Sequence, residues 1–482
     1  MKVWKNLNAS ARRFRLRVLP LWSALAMSAC APGARDVDAY GAISAEEAVA
    51  REGPAAAHPA DPVPSPAARA ADASAGVRAG AMRFVDGLPR PVDLSTLKHL
   101  EPLNPRAVAM RRACDLGERL TIAALGDVLL HTTLQRQAVA EKERERFRTL
   151  WSSVEGLFAR ADLTYANLEG PAAKGVLVGG ERVKDPGHVF DDAVYTSYPR
   201  FNYHPTLTED LKRSGVDVVS TANNHSLDRG PIGVDRTIEA LDASGLSYFG
   251  TRVQAHAKEG VRADWHVITE AKGWRIAWVG CTFSTNGQAD PRDQVLECYA
   301  EQSAVLALVE ELAAREDIDA VIAAPHWGRE STQELQGRQV ALGEALLEAG
   351  AVAVVAGHPH VVQEWTTHTT SDGREGFILY SLGNFVSYMD TVQERASILL
   401  YLGLTRPYDG GPVFVNGVRH VPLWMVHTKK RNHVVALEQL GEQPAQAWDH
   451  ILARFGAYNL YREREPMTTT PQCDTSWEPP AE

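Results

Sequence analysis

From about Leu120 onward, short apolar runs alternate with segments whose apolar residues recur at helical spacing. The apolar runs predict β-strands at residues 121–125, 163–166, 216–220, 276–279, 318–323 and 351–355. The segments of helical spacing predict α-helices at residues 208–214, 234–243, 303–314 and 336–348. Beyond Gly376 the pattern predicts further strands at 377–381, 397–404 and 415–426. We therefore expect an α/β domain whose second half adds antiparallel sheet.

Five of these apolar runs end in side chains that can bind a metal. The endings are, in chain order, Gly126-Asp127, Asn167-Leu168-Glu169, Asn223-Asn224-His225, Pro325-His326-Trp327-Gly328 and Gly357-His358-Pro359-His360. Each ending alone is also typical of a turn. The carboxyl ends of strands in an open α/β sheet meet at one crevice, however, so the recurrence predicts a shared metal site. Carboxylate, amide and imidazole groups in this mixture suit Zn, Mn or Fe better than Ca or Mg.

Composition and charge limit the class of protein. The chain has 482 residues, of which 45% are hydrophobic and 23% charged, as in soluble globular proteins. Its formal net charge of -10 argues against sequence-independent binding of nucleic acid, which needs a cationic surface. A nucleotide site of the P-loop or Gly-x-Gly-x-x-Gly kind is also absent from the sequence.

The first thirty residues have the pattern of an export signal. Basic residues from Lys2 to Arg17 precede a short apolar stretch at 18–29. The stretch ends in Met27-Ser28-Ala29-Cys30, which resembles the lipobox of bacterial lipoproteins and predicts lipidation of Cys30. We expect an exported protein anchored to the cell envelope by lipid, at the outer membrane in a Gram-negative host, because Ala31 rather than Asp follows the cysteine. The alternative is a soluble secreted or otherwise tethered form, since Met27 stands where Leu is usual.

The remaining sequence divides into three parts. Residues 31–95 are rich in Ala and Pro and lack periodicity, which predicts a disordered tether. We assign residues 96–460 to the folded domain and 461–482 to a C-terminal tail. Besides Cys30, four cysteines remain and allow three disulfide pairings. We favour Cys281 with Cys298 and Cys114 with Cys473, and free buried thiols are the alternative.

Several of these motifs together resemble one protein family. The motifs are Gly126-Asp127, the stretches from Asn167 to Gly170, Asn223 to Gly230, His326 to Glu330, Gly357 to Gln363 and Tyr380 to Phe385. In this order they resemble the CapA family of capsule and poly-γ-glutamate synthesis proteins, over about Leu120 to Met425. That family is similar in turn to calcineurin-like metallophosphoesterases. The resemblance implies an α/β fold of two packed mixed β-sheets flanked by helices, an αββα sandwich.

The resemblance also implies roles for individual residues. Asp127 and His360 would bind a first metal, Glu169 would bridge two metals, and the second metal would be held by Asn224, His326 and His358. One or two divalent ions, Mn, Fe or Zn, would occupy the site. His225 would act as general acid or hydrogen-bond donor to the substrate, with Asp228 fixing its orientation.

One departure from the superfamily pattern concerns the first metal. The superfamily begins with Asp-x-His, whereas this chain has Asp127-Val128-Leu129, with His131 two residues beyond the expected place. The first site would therefore be weak, empty, or completed by His131 or water. Glu169 in place of Asp lengthens the bridging side chain by one methylene.

Together these features predict a metal-dependent hydrolase with phosphoesterase-like chemistry, in which a metal activates water and His225 protonates the leaving group. Arg329 is expected to pair with an anionic polymer or phosphoester substrate, and other capsule-synthesis proteins are candidate partners. The alternative is a non-catalytic envelope scaffold or polymer-binding protein that keeps the fold. Asn384 is either a turn residue or lies near the metals, and Trp327 either lines a substrate groove or fills the core.

Overall fold

A computed structural model describes residues 107–141, 145–253 and 265–474. The predicted signal, Cys30 and the tether at 31–95 lie outside these residues. The strands are β1 Gly117–Val128, β2 Leu163–Leu168, β3 Val218–Ser220, β4 Ser247–Phe249, β5 His266–Ala271, β6 Trp274–Thr282, β7 Ala320–His326, β8 Ala353–Val355, β9 Trp365–Thr369, β10 Glu375–Leu379, β11 Asn384–Val386, β12 Ala396–Pro407, β13 Phe414–Val426 and β14 His433–Ala436. The α-helices are α1 Thr132–Ala140, α2 Glu155–Phe158, α3 Thr206–Arg213, α4 Gly230–Ser244, α5 Gln302–Ala313, α6 Gly337–Glu348, α7 Val392–Arg395 and α8 Ala445–Phe455.

The strands form two mixed sheets. The first has eight strands in the order β14-β13-β12-β1-β2-β3-β4, with β11 paired to β1 beside that path. The second has six strands in the order β5-β6-β7-β8-β10-β9. Within the first sheet β1 to β4 run parallel, and β12 to β14 add the antiparallel part. The antiparallel second half that the sequence predicts is thus confirmed.

The two sheets pack against each other through a common core. Leu120, Ile122 and Ala124 of β1 share one hydrophobic cluster with Ala320 and Ile322 of β7. The alternate residues of the same strands face outward and join two other clusters, which contain helix residues. Because side chains alternate between the faces of a strand, β1 and β7 are buried on both sides. This double burial explains their unbroken apolar runs, and it confirms the predicted sandwich of two mixed sheets flanked by helices.

The helices start and stop for local reasons. Gln336 and Gln339 form a reciprocal capping box at the start of α6. Gly245 ends α4 in a left-handed conformation with φ of 66°. All four helices that the sequence predicts are present, with bounds that differ by a few residues. Among the described residues no helix is long and apolar enough to cross a membrane.

Two disulfides cross-link the domain, one between its two ends and one within a loop. Cys114 is bonded to Cys473, 359 residues away, and Cys281 to Cys298, 17 residues away. The favoured pairing is therefore confirmed. The segment that ends at Cys473 packs on the first sheet, where Thr469 Oγ1 donates to Asn416 Oδ1 at 2.7 Å. The proposed domain boundaries themselves stay predictions.

Candidate metal centre

The polar strand ends of both sheets meet at one edge of the sandwich. In the first sheet they follow β1, β2 and β3, and in the second sheet they follow β7 and β8. A β-bulge interrupts the pairing of β1 with β2 between Ala124 and Asp127. A Cβ at Gly126 would lie 1.8 Å from the carbonyl oxygen of Gly383, so only glycine allows this approach of the two backbones. The bulge and the close approach together place the Asp127 carboxylate at the strand end.

The tetrad Gly357-His358-Pro359-His360 turns both imidazoles inward through an unusual backbone. His358 and His360 have positive φ angles of 96° and 59°. Such angles are strained for residues with a Cβ, and they persist where surrounding contacts hold them. The loop is held by a hydrogen bond from the Ser331 backbone N–H to the Pro359 carbonyl, at 2.9 Å. A Cβ at Gly357 would lie 2.8 Å from Asp127 Oδ1, so the carboxylate occupies the space that glycine leaves.

Two groups of potential metal ligands result, and they share Glu169. One consists of Glu169, His358 and His360, and the other of Asp127, Glu169 and His326. Within each group one ligand atom per residue lies within 4.8 Å of the others, and all these side chains are buried. The shared carboxylate occupies the place expected of a bridging ligand. The resemblance groups His358 with His326, whereas the geometry puts it in the group with His360.

The ring nitrogens of the histidines show which atoms face the centre. Nδ1 of His360 lies 3.2 Å from Asp127 Oδ2 and 3.0 Å from Asn384 Oδ1, both acceptors, so this nitrogen carries the proton. Nε2 of His360 then faces Glu169 Oε1, at 3.7 Å. A histidine that donates one N–H to a carboxylate and presents the other nitrogen has the usual arrangement of a metal ligand.

His326 presents its Nε2 atom to the same centre. This atom lies 2.9 Å from Asn224 Oδ1, 3.2 Å from His358 Nδ1 and 3.5 Å from Glu169 Oε1. The amide oxygen of Asn224 is thus directed at the imidazoles, because its amide nitrogen donates to Asn286 Oδ1 at 3.3 Å. All six residues predicted as metal ligands therefore converge in one place.

The surroundings of the Glu169 carboxylate indicate whether the residues at this centre fit a cation. Both of its oxygens are buried and neither has a hydrogen-bond partner among the described residues. Burial raises the pKa of Glu169, but the positive charges of His360 and His326 outweigh it and the net shift is downward. A buried anion without hydrogen bonds is costly unless a cation compensates it. The oxygen and imidazole donors around it fit a divalent transition metal.

The imidazoles differ in how readily they lose a proton. Burial lowers the pKa of His358 well below its ordinary value, and the neighbouring His326 and His360 lower it further. His358 is therefore neutral, as a metal ligand must be. Burial also lowers the pKa of His360, but Glu169 and Asp127 outweigh burial and raise it overall. A bound cation would take the place of that proton between His360 and Glu169.

Two asparagines that the sequence assigns no firm role hold the ligands in position. Asn167 Nδ2 donates to Asp127 Oδ1 at 2.8 Å and lies 3.3 Å from His326 Nδ1. Asn384 accepts from His360 through Oδ1, and its amide nitrogen donates to the His360 carbonyl at 3.2 Å. Asn384 thus belongs to the site. The only sequence signal for Asn167 is a polar residue within an otherwise apolar strand that ends at the site.

His225 and Asp228 form a pair beside the centre. His225 Nδ1 lies 2.8 Å from Asp228 Oδ2, and both side chains are buried. Burial lowers the pKa of His225, but the hydrogen bond and charge of Asp228 outweigh burial, and the net shift is upward. Asp228 therefore stabilises the protonated imidazole, which is the form that a proton donor requires.

Three other predicted residues have different surroundings. His131 is in neither ligand group, and its Nδ1 accepts the backbone N–H of Tyr388 at 3.2 Å. Arg329 is exposed, two residues before Ser331 on the loop that contacts the histidine tetrad. Trp327 is completely buried and stacks on Tyr380 within the core between the second sheet and its helices. Trp327 therefore fills the core and lines no groove.

One family profile and several known proteins are similar in sequence to this chain. A profile described as "Bacterial capsule synthesis protein PGA_cap" matches residues 121–389. "Capsule biosynthesis protein CapA" of Bacillus anthracis is 30% identical over 206 residues, which are 41% of this chain and 48% of that protein. "PGA biosynthesis protein CapA" of Bacillus subtilis is 28% identical over 202 residues, 42% of this chain and 50% of that protein. The chain thus spans about half the length of the curated relatives it matches.

Among solved structures, the sulfate thiohydrolase SoxB of Thermus thermophilus is 13% identical, with a TM-score of 0.36. The match covers 69% of this chain and 60% of SoxB. The family profile spans the strand ends that carry the site, from β1 to β11. The chain belongs to the PGA_cap family of bacterial capsule synthesis proteins.

Proposed function

We propose that this protein is a metal-dependent hydrolase of the CapA type, with phosphoesterase-like chemistry. The observation that supports the proposal most strongly is the buried Glu169 carboxylate, which has no hydrogen-bond partner within the described ranges and is shared by both groups of potential ligands. A protein that kept this fold only as a scaffold would gain nothing from the desolvation cost of burying a carboxylate among imidazoles.

One or two divalent ions, Mn, Fe or Zn, would be held by Asp127, Glu169, Asn224, His326, His358 and His360. When bound, such ions act as Lewis acids toward ester oxygens and lower the pKa of coordinated water. Asn167 and Asn384 keep the Asp127 and His360 side chains in place for this role. Burial of the ligands excludes competing water from the centre.

The chain's own proton donor would be His225. Its Nδ1 is occupied by Asp228 at 2.8 Å, so Nε2 is the atom available to a leaving group. Asp228 holds the ring in one orientation and stabilises its positive charge before the proton is transferred. The exposed Arg329 guanidinium would attract an anionic substrate toward the loop that contacts the histidine tetrad.

The biological setting that we propose is capsule or poly-γ-glutamate synthesis or processing at the cell envelope. Two relatives whose names state capsule or PGA biosynthesis support this assignment. The envelope location depends on the export signal and Cys30. An anionic polymer or a phosphoester of the envelope would be the substrate, and other capsule-synthesis proteins are proposed partners.

The proposal is tested by measuring metal content and turnover on the same samples. Elemental analysis is combined with hydrolysis of diphenyl phosphate and of a γ-glutamyl amide, for the wild type, His225→Ala and the distant control His368→Ala. We expect bound divalent metal in all three proteins and turnover in the wild type and control. His225→Ala should keep its metal and lose about 10²- to 10⁴-fold in turnover, the range of general acid catalysis. Metal retained without turnover of either substrate in the wild type would instead support the non-catalytic scaffold.

A further inference from the structure

Arg229, the residue after Asp228, has a completely buried side chain, 0% exposed. Burial lowers the pKa of Arg229 to about 10, although the Asp228 carboxylate partly opposes the shift. A charged guanidinium is seldom fully buried unless its donors are satisfied, because it loses hydration. The contacts of Arg229 therefore indicate what this buried charge does.

Every N–H group of the guanidinium has an acceptor. The acceptors are the carbonyl oxygens of Val176 (3.2 Å), Val194 (3.4 Å), Arg200 (3.3 Å) and Asp228 (3.1 Å) and the hydroxyl of Thr196. A guanidinium has five N–H donors, so none is left over. All but one of these acceptors belong to residues 171–204, which we call the insertion.

The insertion connects β2 to α3 and contains no helix or strand of its own. Two isolated bridges, Val176 with Arg182 and Thr196 with Asn202, pair parts of its backbone, and Arg229 supplies donors to three of its carbonyls. Helix α4 makes room for the side chain, because a Cβ at Gly233 would lie 2.3 Å from the Arg229 Cβ. The arginine therefore fixes the path of the insertion from within.

One peptide group of the insertion is held at both ends. The Arg200 carbonyl accepts from Arg229, and the N–H of the same peptide, on Phe201, donates to Asp228 Oδ2 at 2.7 Å. This carboxylate oxygen also lies 2.8 Å from His225 Nδ1. The Phe201 ring contacts the His225 ring edge to face, with centroids 4.8 Å apart. The peptide is thus a direct link between Arg229 and the His225–Asp228 pair.

We propose that Arg229 is a positioning residue for the His225–Asp228 pair. By holding the Arg200–Phe201 peptide, it orients the Asp228 carboxylate and the His225 ring for proton transfer to a leaving group. This inference rests on the proposed hydrolase function. Without the arginine, the Arg200 carbonyl keeps only the Thr196 hydroxyl as a donor among the described residues, and the Phe201 N–H and ring are held less firmly against Asp228 and His225.

The test compares Arg229→Met and Arg229→Lys with the control Arg236→Met. Arg236 lies on α4, the helix that follows Arg229, and its side chain pairs with Glu239. Turnover is measured for bis(p-nitrophenyl) phosphate and for diphenyl phosphate. The phenolate that leaves from diphenyl phosphate is the more basic of the two leaving groups and depends more on protonation. We expect Arg229→Met to lose about 10²-fold on diphenyl phosphate and less than about tenfold on the nitrophenyl ester, since only the poorer leaving group depends on general acid catalysis. The metal content of the variants should not change. The turnover of Arg229→Lys, which keeps three donors, should lie between the values for the wild type and Arg229→Met.

Hydrogen exchange of the Phe201 amide provides a readout that does not depend on activity. We expect it to be protected in the wild type and in Arg236→Met, and to exchange on the order of 100-fold faster in Arg229→Met. Unchanged protection, or an equal loss of turnover on both esters, would overturn the inference. If the wild type hydrolyses neither ester, the proposed function fails, while the exchange rate still decides whether Arg229 holds the peptide. If Arg229→Met does not fold, Arg229→Lys is judged by the same two criteria.

Discussion

At the residue scale, Glu169 is the side chain that most clearly requires a bound cation. It is fully buried, it is surrounded by imidazoles, and in the part of the chain that the structure describes neither oxygen has a hydrogen-bond partner. Its neighbour Tyr203 donates a hydrogen bond to the backbone carbonyl of Glu169 at 2.6 Å, not to the carboxylate. The carboxylate is therefore held in place through the backbone while its oxygens remain available to a cation.

Replacing Glu169 with Gln keeps the shape and removes the charge. We expect Glu169→Gln to weaken metal binding at least about 100-fold, because loss of a ligand should cost no less than loss of a supporting residue. The measurement is a metal titration of chelator-treated protein, followed by calorimetry. Glu375→Gln, on β10 and paired with Arg111, is the matched control. Equal metal affinity in both variants would show that Glu169 is not a metal ligand.

A second residue prediction concerns acid stability. Burial lowers the pKa of His420 to about 3, and its Nε2 donates to the Gly456 carbonyl at 3.1 Å. The unfolded chain binds a proton below about pH 6.5 while the folded chain does not, so stability is full above that pH and falls as the pH decreases toward 3. Each pH unit in this window costs up to about 1.4 kcal/mol.

His420→Gln should flatten this dependence, because Gln can donate the same hydrogen bond without titrating. Urea unfolding between pH 7 and 4 measures the slope for both proteins. An identical slope in wild type and variant would show that His420 does not contribute to the acid sensitivity.

At the element scale, the loop closed by Cys281 and Cys298 forms one wall of the candidate metal centre. Phe283 packs on the His358 ring, with centroids 4.3 Å apart, and Asn286 accepts from the Asn224 amide at 3.3 Å. The Cys114–Cys473 disulfide connects the two ends of the domain instead. The two disulfides should therefore have different effects when removed.

We expect Cys281→Ser/Cys298→Ser to weaken metal binding about tenfold, since the loop no longer orients Asn224 and His358. Cys114→Ser/Cys473→Ser should leave metal affinity unchanged and lower the free energy of unfolding by about 2–5 kcal/mol. Metal titration and chemical denaturation of the chelator-treated proteins distinguish the effects, and each double variant serves as the control for the other. Equal metal affinity in both would contradict the role of the loop.

The elements that the sequence predicted are those buried on both faces or strongly periodic. The apolar runs of β1, β2 and β7 were recognisable because the sandwich buries both of their faces. Strand β9 was missed because it is an edge strand whose Thr366, Thr367 and Thr369 are exposed. The short strands β4 and β11 have three residues each, too few to show a recognisable spacing of apolar residues.

The candidate site was predictable as far as strand ends determine it. Asp127, Glu169, His326 and His358 follow apolar runs, and parallel strands bring such positions together. The contribution of the insertion could not be predicted, because a segment without apolar periodicity does not indicate which of its residues face the rest of the domain. The contact of Phe201 with His225 and the bonds of Arg229 depend on tertiary packing alone.

At the scale of the whole molecule, the predicted lipid anchor gives a separate test. Full-length protein should fractionate with membranes and enter the detergent phase, because two or more acyl chains hold a protein stably at a bilayer. Cys30→Ala should remove the lipid and release the protein, whereas Ser28→Ala should not. The measurement is detergent partitioning with mass spectrometry of the mature N-terminus. Unmodified Cys30 in a membrane-bound protein would contradict the anchor.

The central claim is that the ends of strands from two sheets together bind a divalent metal. The most direct test is a crystal structure of the protein grown with Zn²⁺, with anomalous data collected to locate the ion. We predict an anomalous peak in contact with Glu169, with the nitrogens of His358 and His360 about 2.0–2.2 Å away. Crystals of intact protein with no peak at Glu169, or with ions bound only elsewhere, would contradict the account.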